Sequence, residues 1–465
     1  MSPERPNVVI VVLDTVRALE TVPADRLGLP AMASLAADGT EFCRAFASAP
    51  WTLPSHAGLL TGTYTSKHDT HGENMMLDES LTALPEILSE HGYETRAISN
   101  NTWFSDEFGF DRGFGTFHTT WTRDADESGV GPSGSGFDAD DWRARTTEDC
   151  TAEATTDVAV DWLASIGSEP FFLFLNYIDA HFEYCPPREY VADELPPGYD
   201  YDSAVDVLDS SHAYSAESES LTDSELTALR ALYLGELAYL DDNISRLVDR
   251  LKRAGEWEDT ILLLTSDHGE NIGEHGLVGH QYSLYDTVLH VPLVVTGGSF
   301  DSGTSTNRLV QLIDIPPTIL DEVGIGASTA RDQFQGRSFS PSSSAPEREF
   351  VTGEHVTTCP SIETLKERFG DLPESLEALE DGLPLRAIRT DEYKLVMADD
   401  GASELYQVRN DPGETEDIAE RHEDVCDRLR EDLERWVASF EQETTQASTT
   451  ISSESKKRLQ DLGYL

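Results

Sequence analysis

Asn7-Val8-Val9-Ile10-Val11-Val12-Leu13-Asp14 is an unbroken apolar run, mostly β-branched, that ends on a carboxylate. Continuous rather than alternating hydrophobicity predicts a central parallel strand covered on both faces. Thr260-Ile261-Leu262-Leu263-Leu264-Thr265-Ser266-Asp267-His268-Gly269-Glu270 repeats the design, a buried strand with Asp267 and His268 at its carboxyl end. Open α/β sheets bind ligands just beyond those strand ends, so Asp14, Asp267 and His268 are expected at one crevice. The predicted fold class is therefore α/β, a large mostly parallel sheet sandwiched by helices.

Between these two runs lies Pro50-Trp51-Thr52-Leu53-Pro54-Ser55-His56-Ala57-Gly58-Leu59-Leu60-Thr61-Gly62. Pro54 suits a first helical turn and the small and apolar residues after it continue the helix, which places Thr52 just before it. Unpaired N–H groups and the helix dipole there favour negative charge, as on an alkoxide or a tetrahedral oxyanion. An isolated T-x-P-S tetrapeptide is more often a simple N-cap. The two strand ends shift that balance, because two carboxylates, an imidazole and a hydroxyl make a shell for a divalent metal.

On these residues the chain resembles the sulfatase family of the alkaline phosphatase superfamily, nearly end to end. The family opens with a strand ending in a metal-binding Asp, as at Asp14, and sets its nucleophile in C/S-x-P-S-R before a leucine-rich helix and T-G. Thr52-Leu53-Pro54-Ser55-His56 and Leu59-Leu60-Thr61-Gly62 occupy that motif. Gly92-Tyr93-Glu94-Thr95, Gly109-Phe110-Asp111-Arg112-Gly113-Phe114, a strand leading to His181, Asp267 to Glu270, Val291-Pro292-Leu293, Leu312 to Thr318, and Glu404-Leu405-Tyr406 with Asn410 to Glu414 follow in the family's order. The resemblance implies an alkaline phosphatase-like fold and an ester hydrolase.

Its departures carry as much information. Family sulfatases convert a Cys or Ser to formylglycine, and Thr52 cannot become that aldehyde. His56 stands where the family has Arg, Thr15 where a second Asp is common, and Asn100 where a sulfate-touching Lys sits. Threonine at the nucleophile position is used by related phosphotransferases and phosphodiesterases, among them phosphoglycerol transferases. The expected site is thus Asp14, Thr52, Asp267 and His268 around one divalent ion (Mn²⁺, Ca²⁺ or Mg²⁺). His181 and His280 meet the substrate's oxygens or protonate the leaving group, and His56, Asn100 and Arg17 line the substrate side. Asp179, His181 and His280 could hold a second metal as in two-metal phosphatases, but that set is incomplete, so one ion is the expectation and a second the alternative. The expected activity is cleavage of a sulfate or phosphate ester, on a sugar or polyol, through a covalent Thr52 intermediate. A phosphoglycerol-transferase-like enzyme and an inactive relative that binds an anionic glycan are the alternatives.

Composition narrows the partners. Asp and Glu number 87 against 33 Lys and Arg, a formal net charge of −54, with lysine only at positions 67, 252, 366, 394, 456 and 457. Such a surface repels nucleic acid and anionic membranes and suits a halophile's salty cytosol, where charge is screened within about 3 Å. A small anionic ester or a glycan-linked one is the expected substrate. Five widely spaced cysteines without C-x-x-C indicate neither a disulfide framework nor a zinc cage. No signal peptide precedes the first strand and no apolar run reaches membrane length, so a cytoplasmic protein is expected.

Along the chain, residues 1–345 read as the catalytic domain and 346–465 as a smaller α+β subdomain with a short antiparallel sheet, beyond the Ser/Pro-rich stretch 338–346. Helices are predicted over 152–165, 226–253 and about 420–440, and a strand over 291–296. The acidic stretches at 119–150 and 195–222 read as loops, the first as a lid or insert.

Overall fold

The structure, a computed structural model, describes residues 5–120, 152–191, 194–208, 210–358, 360–373, 384–398 and 401–439, with positions 376, 379, 452, 455–457 and 459 besides. From residue 121 on, the first acidic stretch lies outside the described residues.

Among the described residues, eight strands form the main sheet: β1 (Asn7–Leu13), β2 (Gly39–Phe42), β3 (Glu94–Ser99), β4 (Thr116–Thr119), β5 (Phe171–Tyr177), β6 (Thr260–Thr265), β7 (Leu293–Thr296) and β8 (Thr304–Thr306). They lie in the order β8-β2-β7-β6-β1-β5-β3-β4. Seven run parallel, and β7 alone is antiparallel to its neighbours β2 and β6. The sheet is therefore mostly parallel, as its apolar runs require. Val12 of β1 lies between Asn176 of β5 and Thr265 of β6, so the three central strands end level with one another. That shared end is where the chemistry gathers.

Both faces of β1 are dry. Val8, Ile10 and Val12 pack with Leu53, Ala57 and Leu60 of helix α2, defined below, while Val9, Val11 and Leu13 pack with the helices opposite. Helices α1 (Pro30–Asp38), α2 (Thr52–Thr61), α3 (Ala152–Leu163) and α4 (Asp223–Ala254) clothe the sheet, with α2 on one side and the other three on the opposite side. Helix α4 begins earlier than the hydrophobic repeat alone indicates. Thr222 and Glu225 close a capping box, in which Thr222 N donates to Glu225 Oε2 at 2.6 Å and Glu225 N to Thr222 Oγ1 at 3.3 Å.

Two expectations need correction. The strand expected over 291–296 is broken at Pro292, which has no N–H to continue a ladder: His290–Val291 pairs with Ala45–Phe46, and only Leu293–Thr296 joins the main sheet. The stretch 195–222 is not simply a loop. It carries short helices at Tyr201–Val205 and Ser211–Ser215, and the second buries Ser211, His212, Ala213 and Ser215.

After residue 350, β9 (Val351–His355), β10 (Leu385–Arg389), β11 (Lys394–Ala398) and β12 (Ser403–Tyr406) make an antiparallel sheet in sequential order. Helix α5 (Glu423–Ala438) covers one face through Leu429 and Leu433 against Ile388, Leu395 and Leu405. Val351, Ala387 and Val396 turn the other face into the core beneath α2. No helix among the described residues is long and apolar enough to cross a membrane.

Candidate active site

Asp14 follows β1 and is held by an unusual turn. Thr15 adopts φ +58°, a left-handed conformation that costs a β-branched residue about 1–3 kcal/mol and persists only where its surroundings impose it. Those surroundings are specific: Thr15 Oγ1 donates to Ala180 O, Tyr233 Oη donates to Thr15 O at 3.1 Å, and Val16 N donates to Ser266 Oγ at 2.9 Å. Ser266 Oγ in turn donates toward Leu13 O, tying the end of β1 to the segment that carries Asp267.

Beyond β6 the backbone turns at Gly269. A Cβ there would stand 2.2 Å from Thr287 O, so only glycine fits. His268 Nδ1 donates to Gly269 O at 2.9 Å, which fixes the tautomer and leaves Nε2 as a ligand or acceptor. Helix α2 closes the fourth side. It begins at Thr52 itself, with Trp51 as N-cap, one residue earlier than Pro54 suggests. Ser55 Oγ donates to Asp267 O at 2.6 Å, locking the first turn of α2 to the β6 end.

Four residues distant in sequence thereby meet. Thr52 Oγ1 is 3.4 Å from Asp14 Oδ2 and 3.4 Å from His268 Nε2. His268 Nε2 is 3.7 Å from Asp14 Oδ1 and 3.4 Å from Asp267 Oδ2. Ligands bonded at about 2.1 Å in a compact shell lie about 3.4 Å apart, so these spacings suit a single small cation. Asp14, Asp267 and His268 each offer an atom within 4.8 Å of the others, all fully buried. Among the described residues, Asp14 Oδ1 and Asp267 Oδ2 have no hydrogen-bond partner, a costly state for buried carboxylate oxygens unless a cation completes them. Burial, with Asp267 close by, holds the Asp14 carboxyl well above its usual range, burial pushes Asp267 up to about 8, and burial lowers His268. The donor set, two carboxylates and one neutral imidazole, fits a divalent ion.

Next to this group stand His181, Glu270 and His280, a second set of buried donors mutually within 4.8 Å. The His268 and His280 rings lie 4.3 Å apart between centroids, and His181 and His280 5.1 Å. Burial and the neighbouring imidazole of His268 depress His181 to about 3 and His280 well below its usual value, which favours the neutral form of both rings. Asp179 is not part of this set: its carboxylate accepts from Ala152 N at 2.7 Å and Asn100 Nδ2 at 3.1 Å. Glu270 takes the third corner instead.

The residues expected on the substrate side are turned otherwise. His56 is fully buried inside α2, with Nδ1 3.0 Å from Thr52 O and Nε2 3.2 Å from the Asn176 side chain, and its ring packs 4.7 Å from Phe104. Burial lowers it to about 3, and its Nδ1 also lies 3.4 Å from Asp267 Oδ2, so the ring braces both the Thr52 backbone and the Asp267 carboxylate. Arg17 directs its guanidinium to Glu20, to Glu274 at 3.1 Å and to Glu270 O at 3.1 Å. Asn100 bridges Asp179 and Ile178 N, the latter at 2.7 Å. Its neighbour Asn101, which the sequence reading passed over, donates through Nδ2 to Asp14 Oδ2 and to Thr52 Oγ1 at 3.3 Å. A strand followed by Asn100-Asn101 at the binding edge of the sheet was the available signal, but it does not say which asparagine turns inward.

The chain is similar to known proteins over most of its length. The sulfatase family model matches residues 6–325. Arylsulfatase K of Bos taurus is 26% identical over 475 residues, covering 93% of this chain and 81% of its own length. Among solved structures, phosphonate monoester hydrolase SpPMH from Silicibacter pomeroyi superposes with TM-score 0.71 at 23% identity, over 97% of this chain and 98% of that one. BT4656, solved in complex with its substrate D-glucosamine-2-N,6-O-disulfate, gives 0.70 at 17% identity over 95% of this chain and all of the other.

Proposed function

This chain belongs to the sulfatase family, a family of metal-dependent ester hydrolases, and from that premise we propose that it cleaves a phosphate or sulfate ester with the Thr52 hydroxyl as nucleophile. The observation that carries the proposal is the placement of Thr52 Oγ1, 3.4 Å from both Asp14 Oδ2 and His268 Nε2 at the first residue of a helix. Asp14, Asp267 and His268 Nε2 would hold the divalent ion, which when bound supplies Lewis-acid polarisation and lowers the pKa of a neighbouring hydroxyl.

The chain's own groups then divide the work. Asn101 Nδ2 orients both Asp14 and Thr52 Oγ1. Thr52 Oγ1 attacks phosphorus or sulfur, a threonyl ester forms, and the alcohol departs with the hydroxyl proton. Water then attacks the same atom, releasing the inorganic anion and restoring Thr52. The N-terminus of α2 favours the negative charge that develops at Thr52. His181 and His280 stand beside the metal group, on the side we assign to the leaving oxygen.

A threonyl ester has no hydrated aldehyde to expel the anion, so both half-reactions are displacements at the central atom, a route suited to phosphorus. A phosphate ester, mono- or diester, on a small polyol or sugar is therefore the preferred substrate. The test is acid-quenched turnover of aryl phosphate and aryl sulfate with Mn²⁺-loaded protein, followed by peptide mapping. A phosphoryl or sulfuryl group on Thr52 is expected. Turnover with the group on another residue would refute Thr52 as nucleophile.

A further inference from the structure

We propose that His212 and Tyr282 form the leaving-group subsite and select an ester whose alcohol carries further hydroxyls, as a polyol or sugar does, over one whose alcohol carries none. This rests on the reading above and adds to it the residues that recognise the alcohol. Helix Ser211–Ser215 is fastened to the segment just before His280. Val278 N donates to Ser215 Oγ at 3.1 Å, Ser215 Oγ donates to Val278 O at 3.0 Å, and a Cβ on Gly279 would stand 3.6 Å from Ser211. His212 on that helix meets Tyr282, two residues beyond His280, with Nδ1 and Oη 2.7 Å apart. Tyr282 also packs in one apolar cluster with Ala216, Leu277, Ile362 and Leu365, which hold its ring in place.

Exposure separates the reacting groups from the residues nearer solvent. Asp14, Thr52, Asp267, His268 and His280 are 0% exposed, whereas His181 keeps 7%, His212 3%, Gln281 4% and Tyr282 5%. The approach therefore passes the histidine side, where the alcohol leaves, and its wall is polar. Gln281 belongs to that wall: its Nε2 is 3.2 Å from His280 Nε2, and its backbone O is 2.8 Å from His355 Nε2. An alkyl chain set against imidazole, phenol and amide groups takes away their water and returns no hydrogen bond, whereas the hydroxyls of a polyol replace it. Sites built to hydrogen-bond a substrate hydroxyl discriminate strongly against the analogue that lacks it.

The experiment compares kcat/KM for glycerol 1-phosphate and propyl phosphate, which share a three-carbon chain and differ only in hydroxyls, on the Mn²⁺-loaded full chain, with 4-nitrophenyl phosphate as a third ester. Native protein is expected to prefer the glycerol ester by about 10-fold or more, and Tyr282→Phe and His212→Phe should each bring that ratio to within about 2-fold of one. Ser215→Ala, which loosens the helix without altering the wall, should lower the ratio partway. Each variant is checked for native circular dichroism. A purely structural role would slow both alkyl esters alike and leave the ratio standing. A native ratio near one, or a ratio kept in every folded variant, overturns the subsite, and continued cleavage of 4-nitrophenyl phosphate would then leave the Thr52 proposal intact. No turnover of any of the three esters by native protein overturns both.

Discussion

Asn101 is the residue on which Asp14 and Thr52 both lean, since one amide nitrogen donates to a carboxylate oxygen and to the hydroxyl. Replacing it by Ala should slow ester hydrolysis by about 10–100-fold, with the metal retained at a weaker affinity, because outer contacts of this kind tune ligand geometry. Steady-state kinetics with metal titration would show it; unchanged kcat at saturating Mn²⁺ would mean Asn101 only fills space. Asp267 gives a pH signature. Its carboxyl stands at about 8 when buried without a cation, against about 4 in an unfolded chain, so between those values the folded state binds more protons. Stability of the metal-free protein should therefore fall as pH rises from 5 to 8, and Mn²⁺ should restore most of it at pH 8. Thermal melts with and without metal across that range check the sign, and a metal-free Tm that rises relative to the loaded one would reverse it. Asp14, Thr52, Asp267 and His268 were legible because each ends a strand or begins a helix, positions that local periodicity encodes. Asn101, Glu270 and His212 were not. Their roles depend on which side chain turns inward, and tertiary packing decides that, as it does for His56 and Arg17 in the other sense.

At the scale of elements, the site depends on how two strand ends are joined. Ser266 is fully buried and its hydroxyl spans Val16 N and Leu13 O, so that the turn bearing Asp14 and the segment bearing Asp267 move as one. Ser266→Ala leaves Val16 N only its long contact with Leu13 O at 3.5 Å and should cost about 1–3 kcal/mol, read as a lowered urea midpoint, together with weaker metal binding. Gly269→Ala should cost about 3 kcal/mol or more through its clash with Thr287 O. A variant as stable as native protein would show that this turn is looser than its contacts indicate. The main strands and long helices could be read from hydrophobic period because each buries a broad apolar face. The helix Ser211–Ser215 could not, since five residues amid acidic and serine-rich sequence show no period. Even so it delivers His212 close enough to depress the titration of His181 and His280, and His212 Nδ1 lies 2.7 Å from Tyr282 Oη.

Across the whole molecule, the antiparallel sheet is fastened to the main body. Val351, Ala387 and Val396 share a core with α2, and buried Lys394 pairs with Asp286 Oδ1 at 2.8 Å and Glu414 Oε1 at 2.7 Å. We propose 345/346 as the boundary in sequence, but a chain ending at 345 should fail to unfold cooperatively, because it exposes that core and strands Asp286. A sharp, reversible melt of that fragment would show the opposite. The net charge of −54 carries a second expectation: self-repulsion should make Tm rise steadily between 0.1 and 2 M KCl, and a flat or falling response would remove the halophilic reading. The proposed activity needs Asp14, Thr52, Asp267 and His268 to gather around one cation, and Mn²⁺ anomalous scattering from a crystal of the full chain tests this most directly. A peak about 2.1 Å from the Asp14, Asp267 and His268 donors, with Thr52 Oγ1 facing it, is the expected result. Saturating Mn²⁺ with no density among those three residues, or with Thr52 Oγ1 turned into the core, would contradict it.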